Sequence, residues 1–233
     1  MKETNRTRIE LIFSILMDEE PYKINEIFID YIFSNTRYFF EDDKRYDILD
    51  EDDFEYYKEI LSEKIYDCDS VQQMFMFVDK RYKMFVFKYV REFLNEKDYA
   101  EILKDCWITE EFPSRSNNVS IEEYVEFFEN VNLDYFLDDK EKETYNNLDE
   151  NITIYRGVKT INGNYLRACS WTLDFEQAKW FAKRFDEIEG DAIVYEITIN
   201  KNEILAYTNE RSENEIIINP DILDNLEVKK HII

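Results

Sequence analysis

The sequence predicts an α+β protein with a helical N-terminal part and a C-terminal part built around β-strands. In the first half, apolar residues recur at helical spacing, whereas short segments after Asn151 alternate with a period of two. The 233 residues include only three Gly and three Pro, and 44% are hydrophobic, which is typical of a compact globular chain with few turns. We expect an acidic helical domain over 1–112 and a second domain over 113–233.

Two segments of the first domain have a clear helical pattern. Residues 24–33 are predicted to form a helix whose apolar face comprises Ile24, Ile27, Phe28, Tyr31 and Ile32. Residues 82–93 repeat the same spacing and predict a buried helix. Aromatic and β-branched residues over 74–78 and 84–90 leave a strand as the alternative there.

The boundary between the two domains is predicted from a polar loop. Residues 112–118 contain Pro113 and several Ser and Asn residues, which favour a loop. Ser120 with Glu123 three residues later then has the spacing of a capping box and predicts the start of a helix. Another acidic helix is expected over 139–148.

The second domain is predicted to alternate between strands and one amphipathic helix. Asp174, followed three residues later by Gln177, marks the start of that helix, which extends to Phe185 with its buried stripe at Phe175, Ala178, Ala182 and Phe185. The strands are expected at 152–155, 168–172, 192–199, 204–207 and 215–218.

The strong negative charge bounds the choice of partners. With 53 acidic against 29 basic side chains, the net charge is −24, so most of the surface repels phosphate backbones and anionic lipids. We expect no direct nucleic-acid binding, and a basic partner protein is favoured electrostatically. The charge serves solubility in one interpretation, and in the other it imitates nucleic acid in a basic groove.

Cysteine usage and hydropathy favour a cytoplasmic protein. The three cysteines, Cys68, Cys106 and Cys169, are widely spaced and form no Cys-x-x-Cys pair, which fits a reducing cytosol better than a zinc or disulfide framework. The apolar run over 9–17 is too short to span a bilayer and lacks a cleavage site. We expect neither a membrane segment nor a targeting signal.

Rare residues exclude several chemistries. Three glycines cannot form a GxGxxG or Walker A loop, and the single histidine, His231, lies in the C-terminal tail. No metal site is expected. Any catalysis must therefore rest on arginine, serine and carboxylates.

Three short motifs carry those residue types in strand context. Tyr155-Arg156-Gly157 ends a predicted strand with a guanidinium suited to bidentate phosphate contacts, and Gly157 leaves the backbone open to close approach. Ser170-Trp171-Thr172 forms a second short strand. Glu213-Asn214-Glu215 opens a third, where i, i+2 spacing in an extended chain places both carboxylates on one side.

In this order, the motifs resemble the R-S-E class of mono-ADP-ribosyltransferases. The segments around them, 173–182 and 209–212, look like those of phage and bacterial members, and the resemblance covers about residues 120–225. It implies a small split β-sandwich of ADP-ribosyltransferase type, with a cleft that binds NAD, the substrate that donates ADP-ribose. A phage or bacterial effector is then expected, with antiphage defence, phage counter-defence and a toxin role all left open.

The resemblance also implies a role for each residue. Arg156, with Gly157 beside it, would hold the NAD phosphates, Ser170 would brace the nicotinamide pocket, and Glu215 would bind the ribose 2′-hydroxyl and stabilise the cationic transition state. Glu213 is the position that goes with arginine as acceptor. Trp171, Thr172 and Phe181 complete the implied NAD-binding set.

These roles predict transfer of ADP-ribose to a target protein, with arginine as the modified residue and nicotinamide released. Three alternatives stay open. One is an NAD glycohydrolase that uses water as acceptor, the second is a degenerate fold that serves as an acidic binding or inhibitor module, and the third is a helical structural protein without a site.

Overall fold

The chain divides into two compact units, Met1–Glu110 and Glu111–Ile233. The computed structural model describes residues 3–110, 118–159, 166–184 and 190–233. Helices and antiparallel strands occur together, which confirms the α+β class. The predicted boundary after residue 112 lies two residues beyond Glu110. Most of the predicted loop over 112–118 lies outside the described residues.

The N-terminal unit combines helices with two small antiparallel sheets. Its helices are α1 (Glu3–Met17), α2 (Glu51–Tyr66), α3 (Val71–Phe75), α4 (Lys83–Val90) and α5 (Glu96–Thr109). Its strands are β1 (Tyr22–Lys23), β2 (Phe28–Tyr31), β3 (Ser34–Thr36), β4 (Tyr38–Glu41) and β5 (Lys44–Asp47). Strands β1, β2 and β3 form one sheet, and β4 and β5 form a hairpin. The expectation of a purely helical first domain is therefore wrong.

The predicted helix over 24–33 is replaced by β1, a turn and β2. The Asn25 side chain accepts hydrogen bonds from the backbone N–H groups of Ile27 and Phe28, which closes a turn where the helix was expected. After that turn, Ile29 and Tyr31 are buried on one face of β2 while Phe28 is exposed. The segment therefore forms a turn and a strand with alternating burial, although its apolar residues have helical spacing.

The predicted helix over 82–93 is confirmed in its centre. Residues 83–90 form α4, with a 3-10 turn on either side at 80–82 and 91–93. Met84, Val86, Phe87 and Val90 are buried, whereas Tyr89, assigned to the buried face, is 46% exposed. The strand alternative is wrong at 84–90, and 74–78 ends α3 and continues as a turn.

The described part of the C-terminal unit contains four α-helices, two 3-10 helices at Lys201–Glu203 and Pro220–Asn225, and one six-stranded sheet. The helices are α6 (Ile121–Glu129), α7 (Leu133–Phe136), α8 (Asp139–Asn146) and α9 (Phe175–Lys183). The strands are β6 (Asn151–Lys159), β7 (Ser170–Thr172), β8 (Ala192–Asn200), β9 (Ile204–Thr208), β10 (Glu215–Ile218) and β11 (Lys229–Ile232). A strand is found at each predicted position of this half, although β7 begins at Ser170 and not at Ala168, and the capping box at Ser120 and Glu123 is confirmed. Asp174 caps α9 as predicted, while Phe185 lies outside the described residues.

The sheet is antiparallel throughout, with strand order β11-β8-β6-β7-β10-β9. Strands β6 and β8 pair along their full length from Asn151 to Lys159. Within the described ranges, β6 and β7 pair at one position only, Tyr155 with Thr172. The sheet is thus divided into two three-stranded halves. Strand β11, which contains His231, was not predicted.

Helix α9 packs against β6, β7 and β8, and Gly157 makes this packing possible. A Cβ at Gly157 would lie 1.8 Å from the Ala178 carbonyl oxygen, far inside van der Waals contact. Ala178 and Ala182 are buried at the same contact. The backbone beside Gly157 is therefore covered by a helix, and helix packing accounts for this glycine, in place of the open approach expected from the sequence.

Candidate active site

Arg156, Ser170 and Glu215 are joined by hydrogen bonds across β6, β7 and β10. Arg156 Nη1 donates to the backbone carbonyl oxygen of Ser170 over 2.6 Å. Ser170 Oγ donates to Glu215 Oε1 over 2.5 Å, across 45 residues of sequence. The register explains the second contact: Thr172 lies opposite Glu215, and Ser170, two residues earlier on β7, lies on the same face. Sequence analysis named these three residues as one set, and the fold brings them together.

The network combines a buried carboxylate with a positively charged guanidinium. Glu215 is 4% exposed, and Arg156 is half-buried. Burial lowers the pKa of Arg156 to about 10, and the neighbouring Cys169 and Glu215 oppose that shift. Arg156 is therefore protonated at neutral pH. Burial also raises the pKa of Cys169 to about 12, so that this thiol is neutral beside the guanidinium.

Glu213 and Asn214 lie in the turn between β9 and β10, and only Glu215 belongs to the extended strand. Asn214 has a φ of 45°, and Ser212 has a φ of 57°, both in the left-handed region that non-glycine residues rarely adopt. The extended spacing assumed from the sequence is therefore wrong. Both carboxylates nevertheless face one cation: Arg211 Nη2 lies 2.9 Å from Glu213 Oε2 and 3.7 Å from Glu215 Oε2.

Side chains and backbone hold this turn in place. Thr172 Oγ1 donates to the Glu213 carbonyl oxygen over 2.6 Å, and Leu173 N donates to the Asn214 carbonyl oxygen over 3.0 Å. The Asn214 amide oxygen accepts from the Tyr207 hydroxyl at 2.9 Å. Left-handed residues persist where the surroundings over-determine them, as these contacts do. The position of Glu213 is therefore fixed by its backbone.

Glu141, on α8, anchors the end of β9 from which the turn departs. Its Oε1 accepts from Thr208 Oγ1 at 3.1 Å and from Asn209 N at 2.7 Å, and its Oε2 accepts from Asp138 N at 2.9 Å. Glu141 is only 3% exposed. Sequence reasoning missed it, since a capping glutamate gives no sign of a partner 67 residues away. Arg211 was also missed, although its spacing from both acids was visible.

Trp171 and Phe181, which were also assigned to NAD binding, do not take part in the Arg156–Ser170–Glu215 hydrogen bonds. Trp171 is buried, and its Nε1 donates to the Ala168 carbonyl oxygen over 3.0 Å. It alternates with Ser170 and Thr172, so its side chain lies on the opposite face of β7. Phe181 is half-buried on α9, with its ring 5.1 Å from that of Trp180.

A cavity of about 240 Å³ lies beside this region, between α8 and the end of β9. Asp138, Glu141 and Glu210 each offer a carboxylate oxygen there within 4.8 Å of one another. Both Glu141 oxygens already accept hydrogen bonds from protein groups. Glu141 thus connects α8 to β9, and none of the residues that line the cavity belongs to the Arg156–Ser170–Glu215 network.

No protein-family model, curated protein or solved structure matches this chain. Function is therefore argued from the geometry and chemistry of the site. Among the described residues, none of the helices has the length and apolar character needed to cross a bilayer.

Proposed function

We propose that this protein is an NAD-dependent mono-ADP-ribosyltransferase that modifies a protein on arginine and releases nicotinamide. The observation that carries this proposal is the hydrogen-bonded series Arg156–Ser170–Glu215. These residues stand in the order of the R-S-E motifs and on separate strands. Glu-x-Glu spacings are common by chance in an acidic chain. This one ends at Glu215, the first residue of β10, and the neighbouring strand β7 carries Ser170, which contacts both Glu215 and Arg156.

The donor set fits NAD as a substrate. The pyrophosphate is anionic, and Arg156 provides the fork of N–H donors that binds phosphate oxygens best. Its Nη1 is engaged by Ser170, which fixes the direction of the guanidinium. Glu215 would accept from the ribose 2′-hydroxyl, and Ser170, hydrogen-bonded to Glu215, would keep that carboxylate oriented.

Cleavage requires stabilisation of a cation. When the bond between the ribose C1′ and the nicotinamide nitrogen breaks, its electron pair leaves with nicotinamide and positive charge develops on the ribose. A carboxylate that is already oriented and largely removed from water stabilises this charge more than one in solvent would. Glu215 has both properties, since it is buried and accepts the Ser170 hydrogen bond. Glu213, less buried and on the acceptor side, would take the proton from the attacking guanidinium.

The divided sheet supports the split β-sandwich that we propose as the fold of this unit. Its halves, β11-β8-β6 and β7-β10-β9, meet at the pair Tyr155–Thr172. The NAD cleft would lie at this division, where Arg156 of one half meets Ser170 of the other. The three buried, unpaired cysteines fit the reducing cytosol that we propose as its location.

The test is incubation of the purified protein with labelled NAD, with and without bacterial lysate, following nicotinamide release and protein labelling. Glu215→Gln is the inactive control, and Glu203→Gln, at an exposed glutamate of the same unit, is the matched one. Labelled lysate protein that disappears only in Glu215→Gln supports the transferase. Nicotinamide release without protein label indicates a glycohydrolase, and absence of both would overturn the proposal in favour of an acidic binding module.

A further inference from the structure

Arg211 of the chain itself lies against both glutamates of the candidate site. Its Nη2 is 2.9 Å from Glu213 Oε2 and 3.7 Å from Glu215 Oε2. The side chain is 40% exposed, whereas those of Glu213 and Glu215 are 17% and 5% exposed. The guanidinium thus reaches from the surface inward to the two acids.

We propose that Arg211 is an intramolecular acceptor, so that the enzyme transfers ADP-ribose from NAD to its own Arg211. The inference rests on the proposed transferase function. It adds a modification site that the three-motif resemblance does not include, since Arg211 belongs to none of those motifs. Its basis is position: the nitrogen that contacts Glu213 is also near Glu215, the residue that would hold the reacting ribose.

The transfer of ADP-ribose from NAD to Arg211 needs no reactant other than NAD. The bond between the ribose C1′ and the nicotinamide nitrogen breaks, and nicotinamide leaves with the electron pair. An Arg211 Nη lone pair forms the new bond to C1′, and the proton lost from that nitrogen passes to the Glu213 carboxylate at 2.9 Å. The products are nicotinamide, ADP-ribosylated Arg211 and a proton.

The turn conformation holds Arg211 near this position before NAD binds. Arg211 lies in the connection that joins the antiparallel strands β9 and β10, and Ser212 and Asn214 of this connection are both in the left-handed region. Ser212 N donates to the Asn209 carbonyl oxygen over 2.9 Å, and Asn214 N donates to Asn209 Oδ1 over 2.9 Å. Because the acceptor is attached and already oriented, transfer in cis has the advantage of high effective concentration.

Arg167 provides a matched control. It is exposed, it belongs to the same unit, and it pairs with Asp221 and Asp224, away from Glu213 and Glu215. A lysine at position 167 or 211 preserves the positive charge but removes the guanidinium. The variants Arg211→Lys and Arg167→Lys therefore differ only in whether the guanidinium near the two acids is lost.

The experiment is to incubate the full-length protein alone with NAD and map modified residues by mass spectrometry, with nicotinamide release and transfer to agmatine, a small guanidine acceptor, measured in parallel. We expect one ADP-ribosyl group on Arg211, formed at a rate constant that does not change over a tenfold range of protein concentration. Arg167→Lys should label like the wild type, and Arg211→Lys should lose the label at position 211.

The outcomes separate this inference from the function on which it rests. Nicotinamide release and agmatine modification with Arg211 unmodified in the wild-type protein would overturn self-modification and leave the transferase intact. Labelling of Arg211 that accelerates with protein concentration would overturn the intramolecular route. No nicotinamide release under any condition would overturn both proposals. Mapping is done on the wild type, so the result does not depend on whether a variant folds.

Discussion

Glu215→Gln should separate the catalytic from the structural contribution of the buried carboxylate. Glutamine has nearly the same volume, so no cavity forms at this buried position. Its amide oxygen can still accept from Ser170 Oγ, which now lies 2.5 Å from Glu215 Oε1. The substitution therefore removes the negative charge and little else.

For Glu215→Gln we expect a large loss of activity and a small loss of unfolding free energy. A hydrogen bond to a charged acceptor contributes about 1.5–3 kcal/mol against about 0.5–1.5 for a neutral one, so about 1 kcal/mol of unfolding free energy is lost at Ser170. The 3.7 Å contact to the 40% exposed Arg211 adds little, because solvent screens it. Removing one preoriented electrostatic group from an active site costs about 10²–10³-fold in rate.

The assay is nicotinamide release at saturating NAD, together with urea unfolding followed by circular dichroism, on wild type, Glu215→Gln and Glu203→Gln. Glu203 is exposed, so its variant should match the wild type in both measurements. A Glu215→Gln protein that unfolds at nearly the wild-type urea concentration and releases nicotinamide at more than a third of the wild-type rate would refute the assigned role. Activity lost only in proportion to unfolded protein would refute it as well.

Three further substitutions test other parts of the same unit. Glu213→Gln should reduce transfer to agmatine by about 10²-fold or more and preserve NAD hydrolysis, because it removes only the proton acceptor; equal loss of both, measured by nicotinamide and product assays, would contradict separate roles. Glu141→Gln should lower the unfolding free energy by about 1–3 kcal/mol, since one amide oxygen can serve Thr208 and Asn209 but the NH₂ cannot accept from the Asp138 backbone N–H; unchanged urea unfolding would contradict this anchoring. Gly157→Ala should cost about 1–3 kcal/mol or more, because the new Cβ would meet the Ala178 carbonyl; a stable variant would show that α9 yields easily.

The second unit was predictable because its elements depend on local signals. The strand over 192–199 alternates in its second half, where Ile197 and Ile199 are buried and Thr198 is exposed, and Asp174 marks the start of α9 through its own side-chain cap. Both signals act within a few residues of sequence. Strand β11 escaped prediction because Lys229, Lys230 and His231 are polar, and it forms through pairing with β8. Such an edge strand depends on its neighbour more than on its own pattern.

The first unit shows the opposite case. Residues 24–33 have apolar side chains at helical spacing, but Ile24 and Ile27 are 53% and 59% exposed. The predicted face is not buried as a unit, and the Asn25 turn directs the chain into β2. Helical spacing over a single ten-residue segment is weak support, because tertiary packing and local turns can override it.

In the candidate site, the sequence indicated the residues but not their geometry. Arg156, Ser170 and Glu215 were chosen from the order of short motifs, and hydrogen bonds across the sheet join them. The sequence argument placed the Glu213 and Glu215 carboxylates on one side because it assumed an extended chain. In the structure, Asn214 between them has a left-handed backbone. Backbone conformations of that kind depend on distant contacts such as the Tyr207 hydroxyl, which no local pattern encodes.

Arg156 helps to connect the two halves of the sheet, which are otherwise weakly paired. At their junction a single residue pair, Tyr155 with Thr172, joins β6 to β7 in the described part of the chain, and the Arg156 side chain adds a tie to the Ser170 carbonyl oxygen. Under the proposed function, an NAD phosphate bound to Arg156 would contact the same guanidinium that connects the two halves. Such binding would then be coupled to the spacing of the halves through one side chain, and amide exchange at Ser170 and Thr172 would report that coupling.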